Sequence, residues 1–505
     1  MSLLPEPPAT PPVVWTIAGS DSCGGAGTQA DLKTFQALGV HGCSVIAALT
    51  AQNSKEVRAT AAVPAALLKA QLEALKADLP PKAIKIGMLG DAEGIEILAE
   101  MLEKIGIYTV CDPVLVSSSG TALIDVEAVA AMKQLLFQRV DLLTPNRNEA
   151  ETLLGRKLAS DSDIEQAAAE LRAAGPKAVI IKGWDSDHSF VQDFYCGAHE
   201  KFWLTSPKRK GQTARGTGCT FASTLAAAYA LGFHEADAGV IAKAYVNKCL
   251  GLQKQIGQGM PFLTHEQWPV TPEDMPWLTP NAAAGRARPS FPDCGPQPLG
   301  FYPVVDSFDW LKRLLPLGVT TAQLRIKNFA GTALDDEIRK SIDFARLHNC
   351  RLFINDHWQL AIRHKAYGVH LGQEDLAAAD TGAIEKSGLR LGISTHCYSE
   401  VARALALRPS YMAIGPIFPT TLKSMNYAPQ GIKALAQWRK MLSASLVAIG
   451  GIALEQAPAL REAGADGVAV VSDITKNAHP EKRARSWLSL MQQGPIVNFT
   501  RSINQ

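Results

Sequence analysis

"WTIAGSDSCGGAGTQADLKTF", residues 15–35, decides between two kinds of α/β domain. A short apolar strand runs into a glycine cluster, and a helix follows. Gly25, Gly27 and Ala30 fit G-x-G-x-x-A, a dinucleotide fingerprint. That fingerprint needs an acidic residue at the end of the next strand, about 20 positions on. The next apolar run, "SVIAALTAQN", ends in Gln52 and Asn53. A dinucleotide cradle is therefore a poor reading, and the loop's ligand must be sought in the rest of the chain.

Outward from this stretch, short β-branched runs alternate with amphipathic segments. "VVWTIAG", "CSVIAALT", "AIKIGML", "YTVCDPV", "DLLTPN" and "AVIIKG" are strand candidates. "PAALLKAQLEALKADL" is typical of what lies between them. This alternation implies a parallel sheet covered on both faces. "FVQDFYCG" and "KFWLTS" read as an antiparallel hairpin, and "GTGCTFASTLAAAYALG" opens a long helix.

Residues 266–298 carry eight prolines and no periodic apolar face, the pattern of an extended, partly stiff linker. Beyond it stand "FYPVV", "TTAQLRIK", "RLFIND", "AYGVHL", "LRLGIS", "YMAIGP", "LVAIGG" and "DGVAVVS", each followed by a helix candidate. Eight such units predict a (β/α)8 barrel rather than a doubly wound open sheet. The expected division is 1–265, a linker over 266–298, and 299–505.

Composition agrees with two domains in 505 residues. A net charge of +2 gives no pull toward nucleic acid or membranes. Nine cysteines, an odd number without a C-x-x-C pair, read as reduced thiols of a cytoplasmic protein. "MSLLPEPPATPP" has no basic n-region and is not read as a signal peptide. No apolar run approaches the ~20 residues of a membrane span.

In the first half, "ARGTGCTFASTL" carries the sharpest chemistry. Gly216 and Gly218 let the backbone turn tightly, and the helix behind them points free N–H groups into the turn, an anion nest. Cys219 sits at its mouth, where a helix field lowers a thiol pKa. Asn146 and Glu149 follow a strand and suit hydrated Mg²⁺. Asp112 ends another strand, and Lys182 ends "AVIIK". All gather at the carboxyl ends of parallel strands, where such sheets bind ligands.

This half resembles the ribokinase-like hydroxymethylpyrimidine and phosphomethylpyrimidine kinases. The resemblance is carried by "GSDSCGGAGTQADLKT", "ALTAQN", "KIGML", "DPV", "TPNRNEA", "IKG" and "GTGCT" over residues 13–255. It implies that Asp31 and Gln52 face an aminopyrimidine, with Met88 adding backbone contacts. It also implies that Asp112, Asn146, Glu149 and Lys182 serve MgATP, and that Gly216, Thr217, Gly218 and Cys219 form an anion hole. Cys23 stands where serine is usual, and Arg215 where histidine commonly precedes GTGC.

In the second half, "TTAQLRIKN" sets Ala322, Leu324 and Ile326 on one face and Gln323, Arg325 and Lys327 on the other. In a barrel the first face packs on helices and the second points inward, near the top. Two inward cations call for an anionic ligand. Asp356 and Asp375, from neighbouring strand ends, suit Mg²⁺. Ser394, Thr420 and Lys423 add polar groups, and the turns after the last two strands suit a phosphate.

This half resembles thiamine phosphate synthase across 300–493, on "YPVVD", "QLRIK", "FIND", "GVHLGQEDL", "GIST", "FPT", "AIGGI" and "VVS". The resemblance implies that Gln323, Leu324, Arg325, Ile326, Lys327, Asn355, Ser394 and Lys423 hold a pyrimidine diphosphate, and that Asp356 and Asp375 bind Mg²⁺. Thr420, Thr421, Leu422, Gly451, Val471 and Ser472 would hold a thiazole phosphate. Leu422 stands where the family has a second threonine. Together the halves imply a bifunctional thiamine enzyme that uses ATP and Mg²⁺ and takes small-molecule partners, with homo-oligomer formation through the kinase half left open. The rivals are a pyridoxal-type kinase joined to a thiazole tautomerase, or one half retained as a non-catalytic sensor.

Overall fold

The computed structural model describes residues 10–116, 123–185, 189–209, 213–420 and 427–492. The chain forms two compact units that meet in sequence at Arg288 and Pro289.

The first unit is built on ten strands: β1 (Val13–Asp21), β2 (His41–Gln52), β3 (Val57–Ala62), β4 (Ala83–Ile86), β5 (Thr109–Cys111), β6 (Leu142–Leu143), β7 (Ala178–Trp184), β8 (Phe190–Cys196), β9 (Lys201–Pro207) and β10 (Trp277–Thr279). Their order across one sheet is β10-β9-β8-β7-β6-β5-β4-β1-β2-β3. The centre from β2 to β7 is parallel, and both flanks turn antiparallel. All four residues of β4 are buried, as expected of a central strand covered on both faces. The hairpin β8–β9 is where the sequence pattern puts it.

The proline-rich stretch departs from expectation. Over its first two-thirds it is not an extended tether. Trp277, Leu278 and Thr279 pair with Thr205, Leu204 and Trp203, so β10 is the tenth strand of the sheet. The Trp277 indole donates to Gly285 O at 2.7 Å, and Asp274 accepts from Arg209 at 2.6 Å. The prolines flank the strand instead of interrupting it, which an edge strand tolerates. The last third belongs to the second unit. Arg351 donates to Gln297 O at 2.8 Å and to Pro298 O at 2.7 Å, tying this segment to a strand start.

The second unit is a closed barrel of eight parallel strands in chain order: β11 (Gly300–Val305), β12 (Thr321–Leu324), β13 (Arg351–Asn355), β14 (Gly368–Leu371), β15 (Arg390–Thr395), β16 (Tyr411–Ile414), β17 (Leu446–Ile449) and β18 (Gly467–Val470). β18 closes on β11, Gly467 opposite Gly300. Its interior is packed with side chains, among them Tyr302, Phe353, Tyr411 and Val447. The fold class read from the sequence, a ribokinase-like α/β unit followed by a (β/α)8 barrel, is the fold observed. No helix among the described residues is long and apolar enough to cross a membrane.

Candidate active sites

The amides of the opening glycine loop turn inward, onto the chain itself. The Asp21 carboxylate accepts from the backbone amides of Cys23 at 3.0 Å, Gly25 at 3.0 Å and Ala26 at 2.9 Å. The nest is filled by the chain's own anion. The loop then leans on the second glycine turn. A Cβ on Gly216, whose φ is +83°, would fall 2.2 Å from Gly25 O. That contact fixes both turns at the mouth of one cavity of about 840 Å³.

Gln52, Met88, Asp112, Asn146, Glu149, Lys182, Gly216, Gly218 and Cys219 all line this cavity. Lys182, on β7, donates to Asp112 at 2.6 Å, and both are buried. A Cβ on Gly218 would sit 3.3 Å from Asp112 Oδ2 and 3.4 Å from Lys182 Nζ. Glycine there brings the helix Thr217–Ala230 up against the ion pair. No side chain caps that helix, so its first amides face the cavity mouth without a local acceptor.

Asn146 and Glu149 form a reciprocal capping box on the helix Arg147–Leu154, at 2.8 and 2.9 Å. They line the cavity while serving as caps. Burial, then the Asp112 charge, push the Glu149 carboxyl up to about 8, against the pull of Lys182 and the Asn146 amide.

Two expectations fail here. Asp31 does not reach the cavity wall. Fully buried, it accepts from Thr16 at 2.6 Å, Ser223 at 2.6 Å and Lys85 at 2.8 Å, which leaves little acceptor capacity for a pyrimidine. Nor is Cys219 poised as a thiolate. Burial drives its thiol up to about 11, with Asp31 and Asp112 adding to the effect and Lys85 and the Gly27 amide opposing it. Desolvation outweighs the helix field.

Sequence reasoning missed Lys85. It lies on β4, lines the cavity, and is fully buried. Burial opposes its charge, yet the Asp31 carboxylate holds its pKa above the usual lysine value. A lysine inside the apolar run "AIKIGML" was the available signal. Lys243 and Asp193, paired at 2.8 Å at another part of the wall, were missed as well.

In the barrel, Gln323, Asn355 and Ser394 lie on the strands, and Arg325, Lys327, Asp356 and Asp375 just beyond strand ends. Gln323 points inward as parity demands, its amide 3.5 Å from the Tyr302 hydroxyl. Leu324 and Ile326 are buried with the opposite parity, so their side chains turn away from the mouth and only their backbone can meet a ligand. Arg325 and Lys327 are exposed, and Lys327 pairs with Asp356 at 3.0 Å. Asp356 has φ +64°, a left-handed conformation uncommon for a residue with a side chain and often found at functional sites. Burial, then the nearby Asp356 charge, raise the Asp375 pKa.

Below the mouth runs a polar relay that the sequence reading also missed. Tyr302 and Tyr411 hydroxyls lie 2.8 Å apart, Tyr411 meets His370 Nδ1 at 2.8 Å, and His370 Nε2 meets Ser394 at 2.8 Å. Burial pushes His370 down to about 4, so its ring is neutral. Gly450 and Gly451 have φ of +98° and +66°, and a Cβ on Gly451 would lie 2.3 Å from Pro419 O. This turn therefore packs flush against the loop that leads to Thr420. Val471 and Ser472 follow β18 as expected. Thr421, Leu422 and Lys423 lie outside the described residues.

Similarity to known proteins follows the same division. The family model for phosphomethylpyrimidine kinase matches residues 21–263, and that for thiamine monophosphate synthase matches residues 301–474. A thiamine-phosphate synthase of Photorhabdus laumondii is 55% identical over 197 residues, covering 39% of this chain and 91% of its own. The pyridoxal kinase from Staphylococcus aureus in complex with AMP-PCP matches 54% of this chain and 99% of its own, at 31% identity and a TM-score of 0.50. The thiamine biosynthetic bifunctional enzyme TH1, chloroplastic, of Arabidopsis thaliana is 34% identical over 483 residues, covering 92% of this chain and 90% of its own. That match runs through both units and sets aside the pairing of a pyridoxal-type kinase with a tautomerase. The chain belongs to the bifunctional thiamine-biosynthetic enzymes that join a phosphomethylpyrimidine kinase to a thiamine-phosphate synthase.

Proposed function

We propose that the cavity of the first unit phosphorylates hydroxymethylpyrimidine and then its monophosphate, with ATP as donor. Gln52 and Met88 border the pyrimidine. The amides of Gly216 to Cys219, with Lys182, stabilise charge on the transferring phosphoryl group, which needs positioning and electrostatics more than covalent help. Asp112, Asn146 and Glu149 take the hydrated Mg²⁺ side of the nucleotide. The Lys182–Asp112 pair at 2.6 Å beneath an uncapped helix N-terminus is the observation that carries this reading.

The barrel mouth joins the diphosphate to thiazole phosphate. Asp356 and Asp375 suit Mg²⁺, because burial and the Asp356 charge raise the cost of charge on Asp375 and a divalent cation relieves it. Bound there, Mg²⁺ would neutralise the leaving diphosphate. Gln323, Arg325, Lys327, Asn355, Ser394 and Lys423 orient the pyrimidine diphosphate. Thr420, Thr421, the Leu422 backbone, Gly451, Val471 and Ser472 hold the thiazole phosphate. The electron-rich pyrimidine stabilises the cation left by pyrophosphate, so the chain supplies alignment and charge neutralisation rather than a base at the reacting carbon. The kinase domain extends through about Arg288, and the synthase starts at about Pro289.

The test is one coupled assay of the full chain with ATP, Mg²⁺, hydroxymethylpyrimidine and thiazole phosphate. Thiamine phosphate is expected. Lys182→Ala should stop it unless pyrimidine diphosphate is supplied, and Asp356→Ala should stop it even then. Loss of both partial activities in either folded variant would refute the two-site reading.

A further inference from the structure

We infer that Arg215 is the residue that recognises the phosphate already carried by the monophosphate acceptor, and so sets the preference between the two phosphorylations. This rests on the reading of the cavity as the site of both steps.

Among the described residues six cationic side chains line the cavity. Five come paired with a carboxylate: Lys85 with Asp31 at 2.8 Å, Lys182 with Asp112 at 2.6 Å, Lys243 with Asp193 at 2.8 Å, Arg209 with Asp274 at 2.6 Å, and Lys208 with Asp185. Among the described residues Arg215 has no carboxylate partner. It is 3% exposed, its Nη1 donates to Asn53 O at 2.7 Å, and its Nε is buried without a partner. A guanidinium cannot shed its proton to escape burial. A buried cation without a counter-ion is costly, and an anionic ligand removes that cost.

Position decides which anion. The Arg215 backbone amide donates to Pro261 O at 3.1 Å, and its Cβ lies 3.7 Å from the place a Cβ on Gly25 would take. With the bond to Asn53, these contacts hold Arg215 at the β2 end of the cavity, beside Gln52 and Met260. The Lys243–Asp193 pair and Asn247 line a different part of the wall, on β8 and the helix Glu235–Gly251. In the reading proposed above, the acceptor, not the nucleotide, occupies the Gln52 side. In the first step that acceptor is a neutral alcohol. In the second it is a phosphomonoester, carrying nearly two charges at neutral pH. A charge-assisted bond from Arg215 is therefore available only to the second acceptor.

Wild type, R215Q, R215K and R215H are assayed on both acceptors at saturating MgATP, and monophosphate affinity is measured without nucleotide by calorimetry. Glutamine keeps a donor for Asn53 and removes the charge. R215Q is expected to lose kcat/KM on the monophosphate by at least about tenfold more than on the alcohol, chiefly through KM, with a matching fall in calorimetric affinity. R215K should recover most of this loss. R215H should bind the monophosphate progressively worse as pH rises through about 6.5, where imidazole loses its charge. Equal losses on both acceptors would make Arg215 a structural tether of Asn53 and overturn the proposal. A rise confined to the KM for ATP would overturn it too, by assigning the charge to the nucleotide. A wild type that phosphorylates neither acceptor would instead bring down the kinase reading, and this inference with it.

Discussion

The two sites manage charge in opposite ways. In the kinase cavity the deepest lysines are buried with internal carboxylates, Lys85 with Asp31 and Lys182 with Asp112, and among the described residues Arg215 is the exception that lacks one. At the barrel mouth Arg325 and Lys327 stand exposed on the rim, and among the described residues Lys327 alone of the two has a carboxylate beside it. A buried pair holds its geometry before the ligand arrives, and breaking it leaves a charge stranded in low dielectric. Rim charges cost the fold little and act mainly on the ligand. Charge substitutions should therefore damage folding in the first unit and affinity in the second.

Asp31→Ala is the severest test of that contrast. It strands Lys85, which is fully buried, and removes acceptors from Thr16 and Ser223. A loss on the order of 3–5 kcal/mol is expected. It should appear in thermal unfolding and in kinase activity, while condensation from supplied diphosphate persists. Replacing the pair together, Asp31→Leu with Lys85→Met, should recover much of the stability. A single variant that melts like wild type would remove the contrast.

Among the barrel's buried titratable groups, His370 is a charge-sensitive one that behaves like the kinase side. The folded pKa of His370 is pushed from 6.5 down to about 4 by burial, with Asp356 opposing and Arg325 adding. The unfolded chain therefore takes up the proton first. The contribution to stability is full above pH 6.5 and is lost progressively as the pH falls toward 4, by about 3 kcal/mol at most. His370→Asn should flatten this part of the dependence in thermal unfolding between pH 4 and 7. An unchanged slope would mean that other groups carry it. The same neutrality predicts no imidazole limb in the synthase rate between pH 6 and 8.

On the rim, Asp356→Asn and Asp375→Asn should leave the melting temperature nearly unchanged. They should raise the Mg²⁺ needed for half-maximal condensation by roughly 10–100-fold, the scale on which metal affinity responds to lost support. A Mg²⁺ titration of thiamine phosphate formation reads this directly. If melting falls as far as it does in Asp31→Ala, the rim is not the forgiving surface described above.

How far these differences were legible in sequence follows from the same physics. Apolar β-branched runs announced the central strands and all eight barrel strands, because burial on both faces leaves a continuous signature. β3 is mostly exposed and β10 is three residues long, with Pro276 and Pro280 on either side. Both exist by pairing on a sheet flank, which no local pattern encodes. Cavity residues in glycine- and polar-rich turns after strands were singled out, since GTGC and TPNRNEA stand apart from the apolar runs around them. Ion pairs were not, because Asp31 and Lys85 are 54 positions apart. The relay from Tyr302 to Ser394 was hidden the same way, each member lying on a different strand.

Cys219 gives the smallest and most discriminating effect. Its place at a helix N-terminus suggests a thiolate that takes the proton of the alcohol acceptor. Burial instead pushes the thiol up to about 11, so it stays protonated across pH 6 to 9. A protonated thiol cannot act as the base for the alcohol, and it offers the monophosphate no repulsive charge. Cys219→Ser exchanges one neutral weak donor for another and keeps the helix amides in place. The two phosphorylations should therefore fall by the same factor, less than about tenfold, with no new inflection in kcat/KM over that pH range. Base catalysis is typically worth ~10²–10⁴-fold, so a selective loss on the alcohol would stand out at once. Such a loss would show that the thiol ionises when both substrates are bound, and that ligand charges reverse what burial imposes on the free cavity.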